Sequence, residues 1–204
     1  MGTTDRPFSP ACERNQGPIL ACLRTLLPES ARVLEIGSGT GQHGVHFCAQ
    51  LEHLQWQPSE VPAALPDLQR GLEGHGLDNL LPPMPLDVNA PPASITTHYD
   101  AVFTANTVHF VAWSVALNLL ECSAVPLREG GQLLVYGPFN DEGVFTSEGN
   151  RQLDIWLKSR APQAGIRDWQ ALEQAARAQG LTLVMNHSMP ANNRLLQFRR
   201  QART

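Results

Sequence analysis

Clustered positive charge is scarce in this chain. Its 15 Lys and Arg against 19 Asp and Glu leave a formal net charge of −4. The only basic cluster (Arg199, Arg200 and Arg203) sits at the C-terminal end. A broad phosphate-neutralising surface is therefore missing, and nucleic acid is not expected as a partner. No apolar stretch is long enough to span a bilayer, and the polar start Met1 to Arg6 does not read as a signal peptide. Arg6 also occupies the place where a myristoylation signal beginning at Gly2 needs Ser or Thr. The expectation is a cytoplasmic protein with no membrane partner. Cys12, Cys22, Cys48 and Cys122 show no C-x-x-C pairing, which points to free thiols in a reducing compartment. Internal repeats and low-complexity segments are absent as well.

What is present is an ordinary globular composition, 42% hydrophobic and 17% charged over 204 residues, enough for one α/β domain with a sizeable core. Ile19, Leu20, Leu23, Leu26 and Leu27 form a helical stripe stopped by Pro28. Strands are expected at about 32–36, around Leu54 and Trp56 up to Pro58-Ser59-Glu60, in a short stretch ending near Leu86-Asp87-Val88, over Tyr99 to Thr104 and over Gln132 to Tyr136. Helices carrying Val45 and Cys48, then Leu65, Leu68 and Leu72, then Val115, Leu119 and Cys122 alternate with them. Glu129-Gly130-Gly131 reads as the turn into the fifth strand. Beyond it, one helix should carry Leu153, Trp156 and Leu157 on one face, and another should run from Asp168 to Gly180. Leu181 to Met185 and Leu195 to Arg199 leave no room for a crossover helix, so they must pair antiparallel. The fold class expected is α/β, a doubly wound Rossmann-like seven-stranded sheet with a terminal antiparallel hairpin.

The most informative segment is Val33-Leu34-Glu35-Ile36-Gly37-Ser38-Gly39-Thr40-Gly41-Gln42-His43. A short apolar run broken by three alternate glycines and followed by a helix brings bare backbone and a helix N-terminus to a ligand. The dinucleotide fingerprint would have its third glycine at Gln42, and it lacks a carboxylate at the position of Glu35. A carboxylate there repels a pyrophosphate and attracts a cation. That favours S-adenosylmethionine, with its ammonium and sulfonium, over NAD. Glu60 lies 23 residues beyond Gly37 at a strand end, the spacing at which an acid accepts hydrogen bonds from ribose hydroxyls. His109 titrates near neutrality by type and is the candidate general base, with a purely structural histidine as the alternative. His43 and His46 stand i, i+3 on a helix, but no third ligand accompanies them, so no metal site is expected.

These motifs closely resemble the class I S-adenosylmethionine-dependent methyltransferases. More narrowly, nearly the whole chain resembles a methyltransferase-like family of bacteria and animals. The matching blocks are Ser9-Pro10-Ala11-Cys12-Glu13-Arg14-Asn15, Leu34 to His43, Trp56-Gln57-Pro58-Ser59, Tyr136-Gly137-Pro138-Phe139, Gly165-Ile166-Arg167-Asp168 and Met189-Pro190-Ala191-Asn192-Asn193. The resemblance implies a single domain over 1–204, with an N-terminal lid and helix over 1–30 and a substrate-side insertion over 137–168. Glu35, Gly37, Gly39, Gly41, His43, Glu60, Asp87, Asn106 and Asn15 would bind the cofactor. Asp87 would accept from the adenine amino group, where the alternative is a helix cap. Asn106 and His109 would face the reacting atoms. Arg14, Tyr136, Asn140, Arg167, Asn192 and Asn193 would serve the substrate, Arg167 by holding an acidic group. Arg14 and Asn15 are placed in a polar segment ahead of the first helix.

The implied activity is methyl transfer to a small or medium-sized acceptor. The rival is a non-catalytic protein that binds S-adenosylmethionine or S-adenosylhomocysteine and serves a protein partner. A third reading, an NAD(P)-linked oxidoreductase, is opposed by Glu35 and the glycine spacing.

Overall fold

The computed structural model describes residues 6–92, 95 and 99–202. Gly2 and Arg203 lie outside the described residues. Two compact units divide the chain, Met1–Asp87 and Val88–Thr204. In the first, α1 (Pro10–Leu26) precedes β1 (Arg32–Ile36), α2 (Gln42–Gln50), β2 (Gln55–Glu60), α3 (Leu65–Leu72) and the two-residue β3 (Met84–Pro85). β1 and β3 both pair parallel with β2, Ile36 opposite Ser59 and Glu60 opposite Pro85. Val33, Leu34 and Ile36 are buried in succession, the mark of a parallel strand covered on both faces. Phe47, Trp56 and Leu68 complete this core together with Ile19 and Leu23 of α1. The consequence for chemistry is that the carboxyl ends of β1 and β2 lie side by side. The glycine turn therefore emerges next to Glu60.

α1 starts earlier than its apolar stripe. Ser9 caps it by accepting from the Cys12 amide at 3.4 Å, and Pro10 fills the first turn, where its missing N–H costs nothing. Arg14 and Asn15 are thus helical residues, not a segment preceding the helix. The apolar period begins only where α1 meets the core, so it cannot report the polar first turns.

The second unit holds β4 (Tyr99–Ala105), α4 (Trp113–Ala124), β5 (Leu127–Asn140), α5 (Glu148–Arg160), β6 (Arg167–Asp168), α6 (Trp169–Ala178), β7 (Leu181–Met189) and β8 (Asn193–Arg200). β4 and β5 run parallel, β8 lies antiparallel between β5 and β7, and β6 adds a short parallel rung to the end of β5. The alternation of helices and strands and the antiparallel terminal hairpin are as expected.

Four details differ. The Glu129-Gly130-Gly131 turn is an irregularity inside β5, with Gly130 at φ +73° and the β4 register shifting there. β5 then runs on to Asn140, because β8 and β6 continue to offer it partners. The hairpin strands also extend almost to each other, joined only by the 3-10 turn Pro190–Asn192. On α5, Leu157 is buried with Ala164 and Ile166, whereas Trp156 points outward. Cys48 and Cys122 are buried, and burial pushes their thiols up to about 12 and about 11, so both stay protonated and inert. Among the described residues no helix is long and apolar enough to cross a membrane.

Candidate functional site

The turn after β1 needs its glycines for conformation. Gly37, Gly39 and Gly41 have φ of +74°, +55° and +77°, the left-handed region that other residues adopt at a cost. Their surroundings differ. A Cβ on Gly41 would come within 2.5 Å of Leu72 Cδ2, so this glycine admits α3. A Cβ on Gly39 would meet nothing within 4 Å, and that side of the turn is open. Beside it the Gly39 amide donates to Glu60 Oε2 at 2.9 Å, and the Val61 amide donates to Oε1 at 2.9 Å. Two backbone donors thus fix one carboxylate beside open backbone. Ser38 and Ser59 lock the turn to β2: Ser38 N donates to Ser59 O, Ser59 N to Ser38 Oγ, and Ser59 Oγ to Glu35 O at 2.6 Å. Gln42 ties the Ser9 amide to the same turn and also accepts from Thr40 Oγ1. Sequence patterning missed these serines and Gln42. The only available signal was that they belong to the quoted blocks.

Glu35 lies beneath the turn, 1% exposed, accepting from Trp56 Nε1 at 2.9 Å. Burial pushes its carboxyl up to about 7, against hydrogen bonds from Trp56 and Ser38 that favour the charge. His43 is buried too, its ring stacked on Phe47, and burial with His46 nearby pushes it down to about 4. The imidazole is therefore neutral at pH 7, and its 4.0 Å approach to Glu35 is not an ion pair. His43 Nε2 instead meets Asn15 Oδ1 at 2.7 Å, tying α1 to α2. Asn15 is buried and Arg14 exposed on the same helix. Asp87 is half-buried just past β3, after Leu86, whose amide donates to Glu60 O at 2.8 Å. Among the described residues no cluster of metal-ligating side chains occurs.

In the second unit Asn106 directly follows β4 and is a left-handed residue at φ +55° whose amide donates to Tyr136 O at 2.9 Å. Asn tolerates this conformation better than most residues, which explains its place at so sharp a corner. His109 follows, 4% exposed, pushed down to about 4 by burial and by the positive charge of Arg167. It is a neutral imidazole with little basicity. Its loop is sewn to the start of β6: Gly165 N donates to His109 O at 2.9 Å, and Arg167 Nη2 donates to Val111 O at 2.8 Å and Gln163 O at 2.6 Å. Arg167 thus spends one end of its fork on backbone carbonyls, while its buried Nε has no hydrogen-bond partner among the described residues. Asn140, 8% exposed at the end of β5, donates to Ile166 O at 3.4 Å but leaves its buried Oδ1 unpartnered. Leaving such groups unpaired costs roughly 1–3 kcal/mol each.

The fold brings His109, Asn140 and Arg167 to one end of β5. Asn193 joins them through its register with Pro138, although it donates locally to Pro190 O. Tyr136 is buried in β5, and Asn192 is exposed in the hairpin turn at φ +57°.

Over residues 6–200 the chain matches the family model described as DUF938, a protein of unknown function. Solved structures with the same fold include the S-adenosylmethionine-dependent methyltransferase SibL in its apo form (22% identity, 94% of this chain and 56% of that one, TM-score 0.76). An O-methyltransferase family protein from Burkholderia thailandensis matches at 15% identity over 95% of this chain and 58% of its own, TM-score 0.77. Human N-acetylserotonin methyltransferase, solved in complex with S-adenosylmethionine, matches at 14% over 94% and 53%, TM-score 0.76. The chain spans a little over half the length of these structures. The α/β fold is that of the class I methyltransferases, with the terminal antiparallel hairpin.

Proposed function

The chain belongs to the DUF938 family, and we propose that it is an S-adenosylmethionine-dependent methyltransferase acting on an O, N or S nucleophile of a small or medium-sized molecule. One observation carries the reading. Gly39 presents open backbone beside a carboxylate, Glu60, that two amides hold in place. A ribose with two hydroxyls fits a fixed acceptor of this kind, and a pyrophosphate does not. Bound S-adenosylmethionine supplies an electrophilic methyl on a sulfonium.

The chain's own residues then have limited tasks. Glu60 accepts from the ribose hydroxyls, and the glycine turn lets the nucleoside approach. Asp87 accepts from the adenine amino group. Glu35, from below, supplies negative potential toward an ammonium in proportion to its ionised fraction. Asn15 and His43 hold α1 against the turn. In the second unit Asn106 orients the acceptor, and Asn140 Oδ1 and Arg167 Nε offer it an unused acceptor and donor. Arg14, Tyr136, Asn192 and Asn193 are assigned to the substrate from the resemblance. His109 is a weak base at a pKa near 4, so it suits hydrogen bonding to an acceptor that ionises readily better than deprotonation of an alcohol. Catalysis would come mainly from holding methyl and nucleophile in line and excluding water.

Titration calorimetry tests this. S-adenosylmethionine or S-adenosylhomocysteine should bind far more tightly than NAD or NADP. Glu60→Gln should weaken that binding at least several-fold, since charge-assisted hydrogen bonds contribute about 1.5–3 kcal/mol each. Tight nicotinamide binding without any adenosyl-sulfur binding would overturn the reading.

A further inference from the structure

We propose that Phe110, Trp156 and Arg160 form a subsite for a planar aromatic anion on the acceptor, an inference that rests on reading the second unit as the acceptor's side. Phe110 directly follows His109 and packs on it with ring centroids 4.6 Å apart, yet it is 51% exposed. Its backbone is not free to move: Phe110 N donates to Thr107 O at 3.0 Å, and the flanking His109 and Val111 carbonyls accept from Gly165 and Arg167. An apolar ring held rigidly in water is a binding surface whose ordering cost is already met.

Trp156 and Phe110 form a T-shaped pair with centroids 6.4 Å apart and planes at 87°, and Trp156 is itself 44% exposed on α5. Two rings at right angles make a corner in which a third flat ring finds a face and an edge, the arrangement aromatic quadrupoles favour.

The occupant's charge follows from Arg160. Its guanidinium carbon lies 4.6 Å from the Trp156 ring centroid, and among the described residues no carboxylate lies within ion-pair distance of it. In a chain of net charge −4, an unpaired cation laid along an aromatic ring selects an anionic substituent.

Calorimetry with three probes tests the subsite: cinnamate (planar and anionic), cinnamyl alcohol (planar and neutral) and cyclohexanecarboxylate (anionic, not aromatic). Cinnamate should bind about tenfold more tightly than either control. Phe110→Leu and Trp156→Leu, both on half-exposed rings whose loss leaves the core intact, should each weaken cinnamate by about that factor. Arg160→Gln should reduce cinnamate to the level of cinnamyl alcohol and leave the alcohol unchanged. Equal binding of the three probes, no cinnamate binding, or variants that bind it like wild type would overturn the subsite. Self-association dispersed by Trp156→Leu but not by cinnamate would overturn it in favour of a contact between copies of the chain. S-adenosylhomocysteine affinity should be the same in all variants. If wild type fails to bind it, the methyltransferase reading falls alone; if only the cinnamate pattern fails, the subsite falls alone.

Discussion

Replacing Glu35 by Gln should make the protein more stable at neutral and alkaline pH and not at acid pH. The carboxyl is 1% exposed and its pKa rises from 4.5 to about 7 in the folded chain. A raised folded pKa means that the neutral form is favoured by folding. The stabilisation is fully present below pH 4.5 and is lost as pH rises through 7, because the folded protein must then carry a buried charge. At about 1.36 kcal/mol per unit, the loss across that window is about 3 kcal/mol. Gln keeps an oxygen for Trp56 Nε1 and never ionises. Urea unfolding of both proteins from pH 4 to pH 8 reads the effect directly. The stability difference, variant minus wild type, should climb by about 3 kcal/mol between those limits. His43 and His109, both pushed down to about 4, act in the opposite sense, losing stability as pH falls from 6.5 toward 4. They are common to both proteins and cancel in the difference. A difference that is flat with pH, or that falls, would refute the account of Glu35 as a buried and reluctantly charged group.

Two further outcomes are expected. Gly39→Ala should cost only the left-handed penalty of about 1–2 kcal/mol yet lower S-adenosylhomocysteine affinity measurably. Gly41→Ala must also displace Leu72 and should cost more in thermal melting, so similar melting losses would contradict the packing described. Arg167→Ala should release the Val111 and Gln163 carbonyls. Amide exchange in the loop around His109 should then rise by tenfold or more, while binding of the adenosyl cofactor stays intact; unchanged protection would mean that the loop is held by other contacts.

The readability of this chain varied with the range of the interaction concerned. Local rules were enough for the glycine turn: the strand, the glycine break and the helix appear close to the residues expected, and the structure adds that the three glycines are left-handed. The same holds for the terminal hairpin, which chain connectivity alone forces to be antiparallel. What lay beyond local reading was decided by partners distant in sequence. β5 runs to Asn140 because β8 and β6 continue to pair with it. Trp156 looks like a core residue by spacing, but Leu153 and Leu157 already fill the contact with Ile166, leaving the indole outside. Glu35 and His109 show the limit most clearly. Residue type alone makes the first an anion and the second a base near neutrality. Burial brings one carboxyl up to about 7 and one imidazole down to about 4, because desolvation penalises charge and only the tertiary structure determines which groups are desolvated.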